Sequence, residues 1–146
     1  MLWIIKKFAD LTPHELYAIL QLRNEVFVVE QNCVYQDADN KDQQSWHVMG
    51  WYENLLAAYT RILPPGIMYD LPSIGRVVTA AAIRKTGIGK QLMEKSIETV
   101  ENLFGNAPIQ IGAQLYLKKF YESLGFRQSS EMYLEDGIEH IEMIKA

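Results

Sequence analysis

Arg84-Lys85-Thr86-Gly87-Ile88-Gly89-Lys90 is the stretch on which the fold turns. It stands between Ser73–Ala80, an Ile- and Val-rich run that reads as a buried strand, and residues 87–104, whose pattern is helical. Leu92, Ser96, Val100 and Leu103 fall on one face of that helix, and Glu94, Glu98 and Glu101 on a solvated one. Two glycines in a strand-to-helix turn let backbone amides come close to an anion, and a helix start adds unpaired N–H groups and a positive dipole end. Arg84, Lys85 and Lys90 bring positive charge to a protein that is otherwise acidic. The physical inference is a cradle for phosphate or pyrophosphate. A P-loop is excluded, because the glycine spacing is short and no Ser or Thr follows the lysine. A dinucleotide fingerprint lacks its third glycine.

Downstream, Ile109–Ala113 reads as a short buried strand and Leu115–Leu124 as a compact helix stopped by Gly125. Two strands follow, Phe126–Leu134 and Ile138–Ile144, joined by the turn signal Glu135-Asp136-Gly137. Upstream, residues 3–8 form an opening strand. A helix then starts at Thr12 with Pro13 at its first position and Glu15 completing a capping box. Leu16, Ile19, Leu20, Arg23 and Phe27 trace one face of it, with Arg23 the odd polar member. Trp46–Tyr52 and Leu55–Leu63 read as strands joined at Glu53-Asn54. Between them and the helix, Gln36–Ser45 is polar and reads as a solvated loop, or alternatively as the border of a substrate site. This order predicts an α/β domain over 1–146, a central mixed sheet flanked by helices.

Composition sets the outer limits. The chain has 146 residues, 49% of them hydrophobic, enough to fill one core. Fourteen Lys and Arg against 18 Asp and Glu leave a net charge of −4, which argues against nucleic acid as a partner. No apolar run approaches the roughly 20 residues of a membrane helix, so no membrane partner is expected. The single cysteine, Cys33, offers neither a disulfide framework nor a metal set, and points to a reducing cytoplasm.

Arg84-x-x-Gly87-x-Gly89, followed some twenty residues later by the Ile109 strand and a helix carrying Tyr121 before Gly125-Phe126, resembles the GNAT superfamily of N-acetyltransferases. The N-terminal run Leu22-Arg23-Asn24-Glu25-Val26-Phe27-Val28-Val29-Glu30-Gln31-Asn32-Cys33 is similar to its ElaA-like branch, as are Gly75-Arg76-Val77 and Asp136-Gly137-Ile138-Glu139-His140-Ile141. The resemblance implies acetyl-CoA as donor, an amine as acceptor, and attack within a ternary complex. It implies backbone contacts from Val77, Val78 and Thr79 to the pantetheine arm. Arg84, Lys85, Thr86, Gly87, Ile88, Gly89 and Lys90 would hold the pyrophosphate. Gln114 stands where the family often has Asn, and Ala80-Ala81-Ala82 where it often has Pro.

The chemistry then sets further demands. A free alkyl amine with a pKa of about 10.4 is neutral in roughly one molecule per few thousand at pH 7, a cost of about 4–5 kcal/mol. A base must take that proton, a donor must steady the oxyanion, and an acid aids the departing thiolate. Tyr121, by its place in the family's helix, is the expected acid. His140 is the leading base, with His47, Glu30 and Glu135 chemically competent. Arg23, Arg61 and Arg76 lie in apolar segments and each needs an anionic partner. An acyl-CoA-binding sensor, or an interaction subunit that uses Trp46 or Trp51, is the rival reading. A homodimer is compatible with either.

Overall fold

A computed structural model describes residues 1–146. Eight strands form one mixed sheet: β1 (Leu2–Lys7), β2 (Trp46–Tyr52), β3 (Leu55–Leu63), β4 (Ser73–Thr79), β5 (Ile109–Gln114), β6 (Phe126–Gln128), β7 (Tyr133–Glu135) and β8 (Ile138–Lys145). Their spatial order is β1-β2-β3-β4-β5-β8-β6, with β7 also paired to β8. All neighbours are antiparallel except β4 and β5.

Helix α1 (Pro13–Arg23) begins as its capping signals require, with Thr12 Oγ1 accepting from Glu15 N and Glu15 Oε1 accepting from Thr12 N. The helix does not continue regularly to Phe27. From Asn24 to Glu30 it widens into a π-helical segment. The buried positions are therefore Ile19, Leu22 and Arg23, with Leu22 in place of the expected Leu20. On this side of the sheet Ile19 and Leu22 meet Met49, Leu56, Tyr59 and Val78. Helix α2 (Ile88–Phe104) covers the other side, where Leu92, Met93 and Val100 pack on Val48, Ala58, Ile62, Ile74, Ile111 and Met143. Each sheet face thus buries its own apolar set, which accounts for the unbroken burial of Leu56–Leu63 on β3.

Three sequence expectations are corrected. The segment Leu115–Leu124 is a 3₁₀ turn, Leu115–Leu117, followed by a one-turn α3 (Lys118–Glu122). The strand expected over Phe126–Leu134 is broken, because Ser129 and Ser130 leave the ladder and bind the backbone of Glu142 instead. The third correction concerns Gln36–Ser45, where Asp37, Asp42 and Ser45 are buried. Arg23 Nε donates to Asp37 at 2.6 Å and its Nη1 to Asp42 at 2.7 Å. Arg61 grips Asp39 with both terminal nitrogens, and Arg76 adds a bond to the Asp37 carbonyl. Three arginines on the sheet and α1 are neutralised by three aspartates from one loop, which satisfies the requirement that buried charge be paired. His47 is structural here: it is fully buried, with Nε2 donating to the Asp42 carbonyl and Nδ1 accepting from Tyr59.

Candidate active site

Strands β4 and β5 share one paired position, Ser73 with Gln110, and then diverge. The divergence follows from β4 itself. Arg76 sits at φ +50°, and the β3–β4 register shifts between Tyr59 and Arg61, so a bulge bends the strand away from β5. Beyond Ser73 the edge of β4 that faces β5 has no ladder partner. A cleft of about 960 Å³ opens there, floored by Ile74–Thr79 and Ile111–Gln114 and reaching Tyr121 and His140.

Arg84–Lys90 lies at one end of this cleft. Gly87 caps α2 in the left-handed region at φ +82°, with no side-chain cap, and the first helical bond runs from Gln91 N to the Gly87 carbonyl. The amides of Ile88, Gly89 and Lys90 therefore have no intrahelical acceptor. A Cβ on Gly87 would meet nothing within 4 Å, and one on Gly89 only Phe120 at 3.8 Å, so space for an anion is present. The donor set and the room both fit a phosphate group. The basic side chains are less free than their sequence implies. Arg84 forms a bidentate pair with Glu30, its Nη2 lying 2.7 Å from Oε2, and also donates to the Thr79 carbonyl at 3.1 Å. This pairing raises the Arg84 pKa and lowers that of Glu30. Lys85 and Lys90 are exposed, and Lys90 faces Glu94 at 3.9 Å. Thr86 donates to the Ile83 carbonyl and closes the turn.

Val77 and Thr79 are half-buried along the cleft wall, while the Val78 side chain packs into the α1-side core. Gln114 ends β5 and faces Gln31 across the cleft, its Nε2 donating to Gln31 Oε1 at 3.3 Å. Cys33 is buried and donates to the Asp136 carbonyl, tying the segment after the π-helix to the β7–β8 hairpin.

Tyr121 is 4% exposed, stacks edge-on against Phe120 and Phe126, and its hydroxyl bonds to no residue of the chain. Burial pushes that hydroxyl well above the usual phenol range, so it is held protonated. His140 Nδ1 lies 2.8 Å from the Ile138 carbonyl, which only accepts, so Nδ1 carries the hydrogen. The other ring nitrogen, Nε2, lies 3.4 Å from Glu135 Oε2. Tyr121 and His140 both line the cleft, whereas His47 lies outside its lining. The sequence reading missed the Glu30–Arg84 and Gln31–Gln114 pairs. Both join residues more than fifty positions apart, and no local pattern announces them.

Comparison with known proteins agrees with this geometry. The model of the acetyltransferase (GNAT) domain matches residues 9–146. Protein ElaA of Escherichia coli is 43% identical over 145 residues, covering 98% of this chain and 95% of that protein. An acyl-CoA N-acyltransferase from Pseudomonas aeruginosa superposes with a TM-score of 0.95 at 46% identity, covering 99% of this chain and 98% of that one. The crystal structure of E. coli ElaA gives 0.93 at 42% identity, covering 99% of each chain. A GNAT acetyltransferase from Elizabethkingia anophelis with acetyl-CoA bound shares the fold at 20% identity, with a TM-score of 0.63 and 97% and 94% of the two chains covered. With the family model, the relatives and the superposed fold in agreement over nearly the whole chain, the chain belongs to the GNAT acetyltransferase family, in its ElaA-like branch.

Proposed function

We propose that the protein transfers an acetyl group from acetyl-CoA to a primary amine by direct attack in a ternary complex. The observation that carries this reading is the cleft between β4 and β5. It has uncapped α2 amides at one end and, on its walls, a protonated tyrosine hydroxyl and a histidine whose Nδ1 is engaged by a backbone carbonyl, leaving Nε2 as the nitrogen for the acceptor. The pyrophosphate lies on the Arg84–Lys90 turn and the pantetheine arm along Val77, Val78 and Thr79, with Gln114 beside the thioester. The acceptor ammonium gives its proton to His140 Nε2, directly or through water. Its lone pair forms the N–C bond at the thioester carbonyl, and the oxyanion is met by unpaired β4 amides. The C–S bond breaks, and the thiolate takes the Tyr121 proton. Overall an ammonium and acetyl-CoA yield an acetamide, CoA thiol and one proton. Cys33, which already donates to a carbonyl, has no part in this scheme.

The test is thiol release from acetyl-CoA across a panel of amines and peptides, alongside calorimetric acetyl-CoA binding. Saturable turnover on at least one amine is expected. Tight donor binding with no turnover on any acceptor would make the protein an acyl-CoA sensor instead.

A further inference from the structure

Beside His140, on the same face of the sheet, a second polar constellation borders the cleft at Gly112, which lines it. A Cβ at this position would lie 3.1 Å from the Tyr69 hydroxyl and 3.2 Å from the Tyr133 hydroxyl. Two phenols from different segments, the β3–β4 loop and β7, therefore converge over one residue of β5, and only glycine leaves them room. Neither hydroxyl bonds to another residue of the chain. Directly across the ladder from Gly112 is Glu142, and antiparallel partners share a face. Glu142 is half-buried and its carboxylate has no cationic partner. Burial, together with the nearby Glu142 and Glu135 charges, raises both phenols, so they stay neutral donors. Tyr133 also stacks on His140 with ring centroids 5.9 Å apart, so this patch and the proposed base form one surface.

Charge on the cleft wall is divided. Asp39 is offset by Arg61 and Arg76, and Glu30 by Arg84. Of the lining carboxylates Glu135 and Asp136 have no Lys or Arg partner, nor has Glu142 just beyond them, while Lys41 is the one unpaired cation lining the cleft. A half-buried carboxylate beside two aromatic rings and two hydroxyls fits an alkylammonium, through charge, hydrogen bonding and the ring faces. Glu142 follows His140 by two residues on β8, about 6.6 Å along a strand rising about 3.3 Å per residue. A fully extended chain of about four to five methylenes places two nitrogens at that separation.

We infer that the acceptor is a diamine-type dication: one amine reacts at His140 while the second ammonium rests on Glu142 between Tyr69 and Tyr133, over Gly112. This rests on the amine-acetylating reading and names its substrate class. The residues that select the acceptor are then Gly112, Glu142, Tyr69 and Tyr133.

The experiment compares α,ω-diamines of two to eight methylenes with n-butylamine and with 6-aminohexanoate, which carries a carboxylate in place of the second ammonium. Thiol release gives kcat/KM, and calorimetry with 1,4-diaminobutane in the presence of CoA gives binding apart from turnover. The diamine optimum is expected at four or five methylenes, with kcat/KM at least tenfold above n-butylamine. In Glu142→Gln, and separately in Gly112→Ala, that ratio should fall towards one, and diaminobutane binding should weaken at least tenfold. Thermal unfolding verifies that each variant is folded, and Tyr69→Phe supplies a milder variant. Diamine binding that depends on Glu142 without turnover would uphold the inference and overturn the catalytic reading. Turnover of n-butylamine or 6-aminohexanoate at rates equal to the diamines would overturn the inference and leave the catalytic reading intact. Failure of diaminobutane to bind would also overturn the inference.

Discussion

Tyr121 is both a packing residue and the proposed acid. Its ring fills the α2-side core against Phe120 and Phe126, and its hydroxyl reaches the cleft without a partner. Because burial raises the hydroxyl pKa, the proton is in place at neutral pH, as an acid requires. Tyr121→Phe keeps the ring and removes only that proton. Acetyl-CoA affinity should stay near wild type while kcat falls by about tenfold or more, the smaller end reflecting that a thiolate is already a good leaving group. The measurement is kcat at saturating donor on protein of verified fold. Equal rates, with chemistry limiting, would return Tyr121 to a packing role. For His140 the decisive atom is Nε2, since Nδ1 is committed to the Ile138 carbonyl.

At the scale of elements, the start of α2 and the π-helical segment meet through Arg84 and Glu30. In the proposed reading the uncapped amides rather than the side chains hold the anion, so backbone geometry is the turn's sensitive point. Gly87→Asp forces a Cβ into φ +82° and adds negative charge at the dipole's positive end. Calorimetry should show acetyl-CoA affinity falling at least tenfold, about 1.4 kcal/mol. An unchanged affinity would remove the donor from this turn. Glu30→Gln tests the pair in the other direction. With Arg84 no longer neutralised, donor affinity should rise roughly threefold, about 0.7 kcal/mol. A fall would mean that Glu30 holds the loop in its binding shape. The capping box of α1 is a local matter, and Thr12→Ala should lower unfolding stability by about 1 kcal/mol without touching donor affinity.

Across the whole molecule, the three-arginine, three-aspartate network binds the 36–45 loop to both α1 and the sheet. Burial by itself would raise the carboxyls of Asp39 and Asp42, but the arginines outweigh it and hold both well below the usual range. Such groups contribute stability that is fully present above the unfolded carboxylate pKa, near 4, and is lost as pH falls below it. Burial holds the His47 pKa below its ordinary value, so its contribution is present above about pH 6.5 and begins to be lost below that. Thermal unfolding followed with pH should therefore show Tm declining from about pH 6.5 and steeply below about pH 4. Asp42→Asn leaves Arg23 and Arg61 underpaired, and chemical denaturation should register a loss of about 3–5 kcal/mol. A flat Tm below about pH 4, or a loss under 1 kcal/mol in the variant, would mean the network is not coupled to global unfolding, and a flat Tm between pH 7 and 4 would mean the same of His47.

Most strands and both long helices were legible along the chain because their signals are local. Alternation marks Trp46–Tyr52 and Leu55–Leu63, the capping residues mark Thr12–Glu15, and the glycine turn marks the start of α2. The same locality made the glycine turn with its consecutive uncapped amides readable. What a polar residue meets across the fold was not readable. Gln36–Ser45 has the composition of a solvated loop, and its burial depends on arginines from α1, β3 and β4 that lie 14 to 39 positions away. The Glu30–Arg84 pair, the divergence of β4 from β5 at the Arg76 bulge, and the meeting of Tyr69 and Tyr133 over Gly112 belong to the same class. Periodicity and capping fix which residues face inward along one element. Charge pairing and cleft shape arise from how elements meet in space, so only the tertiary structure decided them.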